Sequence, residues 1–315
     1  MSGLVSVSPS QDWFNLDNGI GQGDLLSMLL YLFYNADLLD VARGPDKKSL
    51  GYVDDVAFMA TANSFMQTHR ILKSMMLRAQ GGFHWSEAHN SNFETSKSML
   101  MDLSRSKSAI RLPLSIRGTT ITTVSTHKFL GVMLDQELQW GPQANYAVAK
   151  ATKWTLAYCR LARPSTGIRP RLMRQLYNAM AVPKMTYAAN VWYTPVYLCA
   201  GRERHCGSVG ITSRLASVQR LASTAIMGTL HSTVTDVLDL HANLLLVELM
   251  LHKICQRAAV QLATLPASHP LAAPFKTRAK HFIKTHQSPL HKLAFIYDIL
   301  PCSFEMIAPA RAPPR

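Results

Sequence analysis

The sequence predicts an α+β protein. Three observations carry that reading: short β-prone runs come in adjacent pairs, longer segments repeat their apolar residues at helical spacing, and 48% of the residues are apolar. A chain of 315 residues with that content can bury a core and has room for two or three domains.

Residues 1–18 are polar and turn-rich, with Trp13 and Phe14 expected to pack. Gly19-Ile-Gly-Gln-Gly-Asp24 then opens an apolar run to Leu39. The glycines let the backbone approach something closely, and Asp24 sits where a helix N-cap belongs. Leu25, Met28, Leu29, Leu32, Ala36 and Leu39 recur at helical spacing, and Leu26, Leu30 and Phe33 make the helix apolar nearly all round. Such a helix is expected to be buried. The glycine pattern is not the dinucleotide fingerprint, and no Gly-Lys-Ser/Thr follows it.

After Gly44-Pro45, the runs Leu50–Val53 and Val56–Ala60 are separated only by Asp54 and Asp55. That reads as a β-hairpin with two carboxylates at its tip. Asp also suits a turn for its own reasons. Adjacent carboxylates repel, however, and a bound Mg²⁺, which takes hard oxygen ligands, relieves the repulsion. A helix is expected over 62–80, with Phe65, Leu72, Met75, Met76 and Ala79 on one face, Thr61 or Asn63 as cap and Gly81-Gly82 as stop. Lys97–Leu103 alternates loosely as a strand, and Leu114–Ile116 pairs with Thr119–Val124 around Arg117-Gly118.

From Trp140 the pattern turns helical, and Ala147, Ala151, Trp154, Tyr158 and Leu161 mark one face. Pro164–Pro170 breaks this helix, and Arg171–Ala181 begins another that Pro183 interrupts or kinks. Lys150, Lys153, Arg160, Arg163, Arg169, Arg171 and Arg174 make the segment basic, and no acid occurs from Gly141 to Pro195. Ser213–Met227, closed by Gly228, and Leu244–Leu265 read as further helices. Half of the 16 prolines lie from Pro266 onward, which favours a poorly ordered tail with at most one helix near Leu290–Leu300.

The net charge is +14, from 33 basic and 19 acidic residues, and it favours a polyanionic partner. A charge run alone makes only a solvated face. An acid-free stretch interleaved with Trp and Tyr points instead to a groove that tracks a phosphate backbone. The five cysteines at 159, 199, 206, 255 and 302 are odd in number and lack CxxC pairing. They are read as reduced thiols of a nuclear or cytoplasmic protein. The first dozen residues do not form a signal peptide, and Leu25–Tyr34 is about half a membrane span, so neither secretion nor a membrane partner is expected.

Taken together, Gly21-Gln-Gly-Asp-Leu-Leu-Ser27 and Tyr52-Val-Asp-Asp55 resemble the palm of reverse transcriptases, the RNA-directed DNA polymerases, particularly those of non-LTR retrotransposons. The first is similar to the family's Pro-Gln-Gly-Ser-Pro-Leu-Ser motif, with Gly21 in place of the proline and Asp24 of the serine. The second is similar to its Tyr-x-Asp-Asp hairpin. The resemblance runs over most of residues 15–270. It implies that Asp54, as principal ligand, and Asp55 hold two Mg²⁺ (or Mn²⁺) ions, and that Gly21, Gln22 and Gly23 position template and nucleotide. Asn92–Ser98 resembles the segment whose lysine acts as an acid towards pyrophosphate, which is Lys97 here. Lys128-Phe-Leu-Gly-Val132 resembles the primer grip, with Phe129, Leu130 and Gly131 at its centre; a glycine bulge in a core strand is the plain alternative. The basic helices resemble the thumb, with Lys150, Lys153, Arg160 and Arg174 on the nucleic-acid backbone.

This resemblance divides the chain into a partial palm (1–138), a helical thumb (139–197), a helical connection (198–265) and a Pro-rich tail (266–315). It implies RNA template, DNA primer and deoxynucleotides as partners. The fragment is expected to be inactive alone, because the family's fingers and first metal-binding aspartate have no place in the 18 residues before Gly19. A non-catalytic, basic nucleic-acid-binding remnant and an open reading frame without a molecular role are the rival readings.

Overall fold

Helices dominate the chain, and its strands form four two-stranded antiparallel sheets among the described residues, which is the mixed α+β class that the sequence predicts. The computed structural model describes residues 24–94, 97–104, 111–162, 167–198, 203–275 and 289–299. The chain divides into two units: residues 1–100 with 108–123, and 101–107 with 124–315.

In the first unit, helix α1 spans Leu25–Tyr34 and is capped by Asp24, whose Oδ1 accepts from the Leu26 N–H at 3.0 Å. Asn35 ends it, and α2 (Ala36–Leu39) and a 3₁₀ turn (Asp40–Ala42) follow. The expectation of a buried helix is corrected here. Met28, Leu29, Leu30, Leu32 and Phe33 are exposed, Phe33 at 80%. Apolarity on every side tells that a helix needs cover, not what supplies it; in this unit only the turns after α1, at Leu38, Val41 and Ala42, reach the core.

Strands β1 (Lys47–Tyr52) and β2 (Asp55–Ala60) pair in a register that sets Tyr52 opposite Asp55. Helix α3 (Phe65–Leu77) is capped by Ser64, whose Oγ accepts from the Gln67 N–H, rather than by Thr61 or Asn63. Gly81-Gly82, expected as a stop, instead starts α4 (Gly82–Ala88), which drives Phe83 and Trp85 into the core. Trp85 joins Leu38, Val41 and Met75, while Phe83 packs with Leu100, Leu114 and Ile116 beneath the hairpin β3 (Leu114–Ile116) and β4 (Thr119–Ile121). No strand forms over 97–103; Leu100 makes a single bridge to Thr123.

The second unit opens with β5 (Thr126–Phe129) and β6 (Val132–Asp135). Buried Asp135 accepts from the Gln139 N–H at 2.8 Å and the Trp140 N–H at 2.9 Å, which fixes the turn into α5 (Gly141–Cys159). Then come α6 (Pro170–Leu176), a π-turn (Tyr177–Ala181), α7 (Val182–Thr186) and α8 (Ala189–Trp192). The π-turn has a local cause. Pro183 has no N–H for the Ala179 carbonyl and its ring crowds that carbonyl, so the helix widens by a residue and continues. The short hairpin β7 (Tyr197–Leu198) and β8 (His205–Cys206) leads to α9 (Val209–Met227), α10 (Thr235–His241), α11 (Val247–Ala263) and α12 (Pro289–Ile296). Gly228 ends α9 with φ +62°, as expected of a C-cap glycine.

Small residues line α5 where it meets the core: Ala144, Ala147 and Ala151 are buried with Trp192, Leu215 and Leu251. Phe275, Leu293 and Ala294 lie in the same core, although they fall in the stretch expected to be poorly ordered. Cys206 is disulfide-bonded, which corrects the reading of five reduced thiols. Spacing along a sequence says nothing of a cross-link that depends on which strands come together.

A polar network joins three helical elements inside this unit. Buried Tyr177 donates to Gln219 Oε1 at 3.4 Å. Gln219 Nε2 donates to Asp239 Oδ2 at 3.0 Å and to the Leu245 carbonyl at 3.1 Å, and Ser223 Oγ donates to the other Asp239 oxygen. Asp239→Ala strips two fully buried donors of their acceptor. It is expected to cost on the order of 3 kcal/mol in urea unfolding; a loss below about 1 kcal/mol would contradict the network's role.

Candidate functional site

The carboxylate hairpin is built by a two-residue loop, Val53-Asp54, between β1 and β2. Val53 has φ +55°, a conformation that β-branched residues avoid. Its carbonyl accepts from Asn35 Nδ2 at 2.9 Å, and Asn35 is itself buried at the junction of α1 and α2. The helix entering the unit therefore holds the tip of the hairpin. Asp54 lies in the loop and Asp55 is the first residue of β2; both are exposed and neither is hydrogen-bonded or ion-paired among the described residues. Gly51 lies close against α2, where an added Cβ would meet the Leu39 side chain at 3.0 Å.

Lys97 belongs to the same unit, is exposed, and forms an i,i+3 ion pair with Glu94. Gly21, Gln22 and Gly23 lie outside the described residues.

Phe129, Leu130 and Gly131 belong to the second unit, where Leu130-Gly131 is the two-residue turn of the β5–β6 hairpin rather than a bulge. Both turn residues have positive φ, +46° and +81°, the geometry that favours Asn-Gly. The close approach allowed by Gly131 is taken up by Tyr187: its ring carbon would lie 2.9 Å from an added Cβ, and its O–H donates to the Leu130 carbonyl at 2.9 Å. Gly131→Ala is expected to cost about 1–2 kcal/mol, mostly from the backbone conformation. In a Tyr187→Ala background the steric part should vanish and the conformational part remain, as thermal unfolding of the cycle would read.

On α5, Lys150, Lys153 and Arg160 recur at steps of three and seven, which puts them on one face. The buried residues Ala147, Ala151, Thr155 and Tyr158 occupy another. Arg174 ends α6 and, with Arg171 and His241, lines a concavity of about 290 Å³ floored by Ile226, Met227 and Ala242. None of these four cations has an ion-pair partner among the described residues. Lys184 rests 5.9 Å from the Trp154 ring, which puts a further charge beside an aromatic of the acid-free segment.

Two side chains that position these groups escape a reading of the sequence. Asn35 has a signal, a lone amide in an apolar helical run. Tyr187 has none, being 57 residues from its Leu130 partner. Among the described residues, no three His, Cys, Asp or Glu side chains group closely enough to hold a metal ion. No described helix is long and apolar enough to cross a membrane.

Over 181 residues, 56% of its length, the chain is 24% identical to the Retrovirus-related Pol polyprotein from type-1 retrotransposable element R1 2 of Nasonia vitripennis. It is 23% identical over 180 residues to the Probable RNA-directed DNA polymerase from transposon BS, and 25% identical over 172 residues to the Putative 115 kDa protein in type-1 retrotransposable element R1DM, both of Drosophila melanogaster. These alignments cover 55% and 54% of the chain. The chain spans less than half the length of these relatives, 43%, 20% and 15% respectively. No family model and no solved structure matches it.

Proposed function

From its distant homology to the reverse transcriptases and Pol polyproteins of non-LTR retrotransposons, we propose that the chain is part of such a reverse transcriptase. The homology over more than half of the chain carries the reading. The carboxylate-tipped hairpin, the strained Leu130-Gly131 turn and the acid-free basic helices support it. On this reading residues 1–138 are a portion of the palm, 139–197 the thumb, 198–265 a helical connection and 266–315 a tail. RNA template and DNA primer are the partners, Phe129, Leu130 and Gly131 meet the primer, and Gly21, Gln22 and Gly23 meet template and nucleotide. Lys97 acts on the leaving pyrophosphate.

A reverse transcriptase implies a divalent cation, Mg²⁺ or Mn²⁺, with Asp54 and Asp55 as its ligands. The described residues do not make up such a site, since no third ligating side chain joins the two carboxylates. Two carboxylates alone fall short of a two-ion centre. We therefore assign to the chain by itself the binding of primer–template without synthesis. Lys150, Lys153, Arg160 and Arg174 supply the charge for it, and an excess of 14 positive charges draws the polyanion in. Anisotropy titration of a labelled RNA–DNA primer–template tests this. Binding that falls steeply with salt and tolerates sequence changes is expected; no binding at low salt would overturn the reading.

A further inference from the structure

Lys128 of β5 and Lys150 of α5 converge on one tyrosine. Their Nζ atoms lie 5.6 and 5.2 Å from the centroid of the Tyr146 ring. Lys150 Nζ also donates to the phenol oxygen at 3.5 Å. Tyr146 stands one turn before Lys150, on the face of α5 that carries Lys153 and Arg160. A single lysine over a tyrosine is an ordinary cation–π pair. Bringing a second from another element is not, because like charges repel and neither lysine has an acidic partner among the described residues. The phenol feels both: hydrogen bonding to Lys128, and then to Lys150, holds it below the usual range for tyrosine. A more acidic phenol is a stronger hydrogen-bond donor to an anion.

We propose that Lys128, Tyr146 and Lys150 form one phosphate clamp, in which two ammonium groups and the phenol O–H hold a single backbone phosphate of a nucleic-acid strand. The inference rests on the nucleic-acid-binding reading above and assigns to it Tyr146, which no count of charges marks. Three donors of this kind also suit a free phosphate. The backbone is favoured because the clamp heads the row Lys150, Lys153 and Arg160. From Tyr146 to Arg160 that row is about 21 Å long at the helical rise. It matches roughly six phosphates of one strand.

The test uses the full chain, a fluorescein-labelled RNA–DNA primer–template and anisotropy over a salt series. Lys128→Ala and Lys150→Ala should each weaken binding three- to tenfold with little change of salt slope, since the remaining lysine still neutralises the same phosphate. The double variant should lower the slope by about one. Tyr146→Phe should weaken binding several-fold at every salt concentration and leave the slope unchanged. A double-variant slope lowered by about two, or a Tyr146→Phe protein that binds like wild type, would overturn the single clamp. Wild-type affinity in every variant would do so too while leaving nucleic-acid binding standing; no binding by wild type would overturn that reading and the clamp with it. Inorganic phosphate added at constant ionic strength should not displace the duplex; displacement that the double variant abolishes would reassign the clamp to free phosphate. Should an alanine variant melt early, Lys128→Gln and Lys150→Gln keep the alkyl stems and repeat the measurement.

Discussion

Replacing Lys150, Lys153, Arg160 and Arg174 together by alanine is expected to weaken primer–template binding by a hundredfold or more at low salt. The salt dependence should flatten by about three, close to one for each phosphate left without its cation. The size of the effect follows from the surroundings of these side chains. The four cations lie in a stretch with no acid from Gly141 to Pro195, so none has a neighbouring carboxylate in sequence to neutralise it. Three of them share a face of α5, and Arg174 faces a concavity with Arg171 and His241. Charges so arranged add along a polyanion instead of cancelling. Lys253→Ala with Arg257→Ala, on exposed positions of α11 outside that stretch, is the control and should change the slope by less than one. An unchanged slope in the quadruple variant, or an equal loss in the control, would show that this face does not track phosphates.

Local chemistry makes much of this legible in the sequence. Asp24 as a cap, Gly228 as a C-cap and the hairpin around Asp54 and Asp55 are each decided by a few neighbouring residues, and the structure has all three. The residues at 128–132 are visible as a motif, but not as a two-residue turn, because Leu130 is a poor residue for positive φ and so hides the turn. Helix α4 is hidden because Gly81-Gly82 reads as a stop, and two consecutive glycines do not reveal on which side a helix stands. The exposure of α1 is illegible for a different reason: composition measures the need for burial, not its fulfilment. Long-range partners are hidden altogether. Nothing near Gly131 announces Tyr187, and nothing near Gln219 announces Asp239 and Tyr177, since such pairings depend on how helices cross.

Synthesis of DNA is the largest difference that the account predicts between this chain and a working reverse transcriptase. Transfer of a nucleotide at two metal ions needs more carboxylate than Asp54 and Asp55 provide, and the described residues bring no third ligand to them. Missing one metal-binding carboxylate costs several kcal/mol of transition-state stabilisation, on the order of a thousandfold or more in rate. Positioning by Phe129–Gly131 and the basic helices does not replace it, because holding a primer in place leaves its 3′-hydroxyl unactivated. The measurement that tests this most directly is primer extension on poly(rA)/oligo(dT) by purified 1–315 with Mg²⁺ or Mn²⁺, wild type beside Asp54→Asn. The account predicts that both proteins bind the primer–template and that neither extends it above background. Robust extension by wild type that disappears in Asp54→Asn would contradict it, and would mean that a further carboxylate completes the site beside the hairpin.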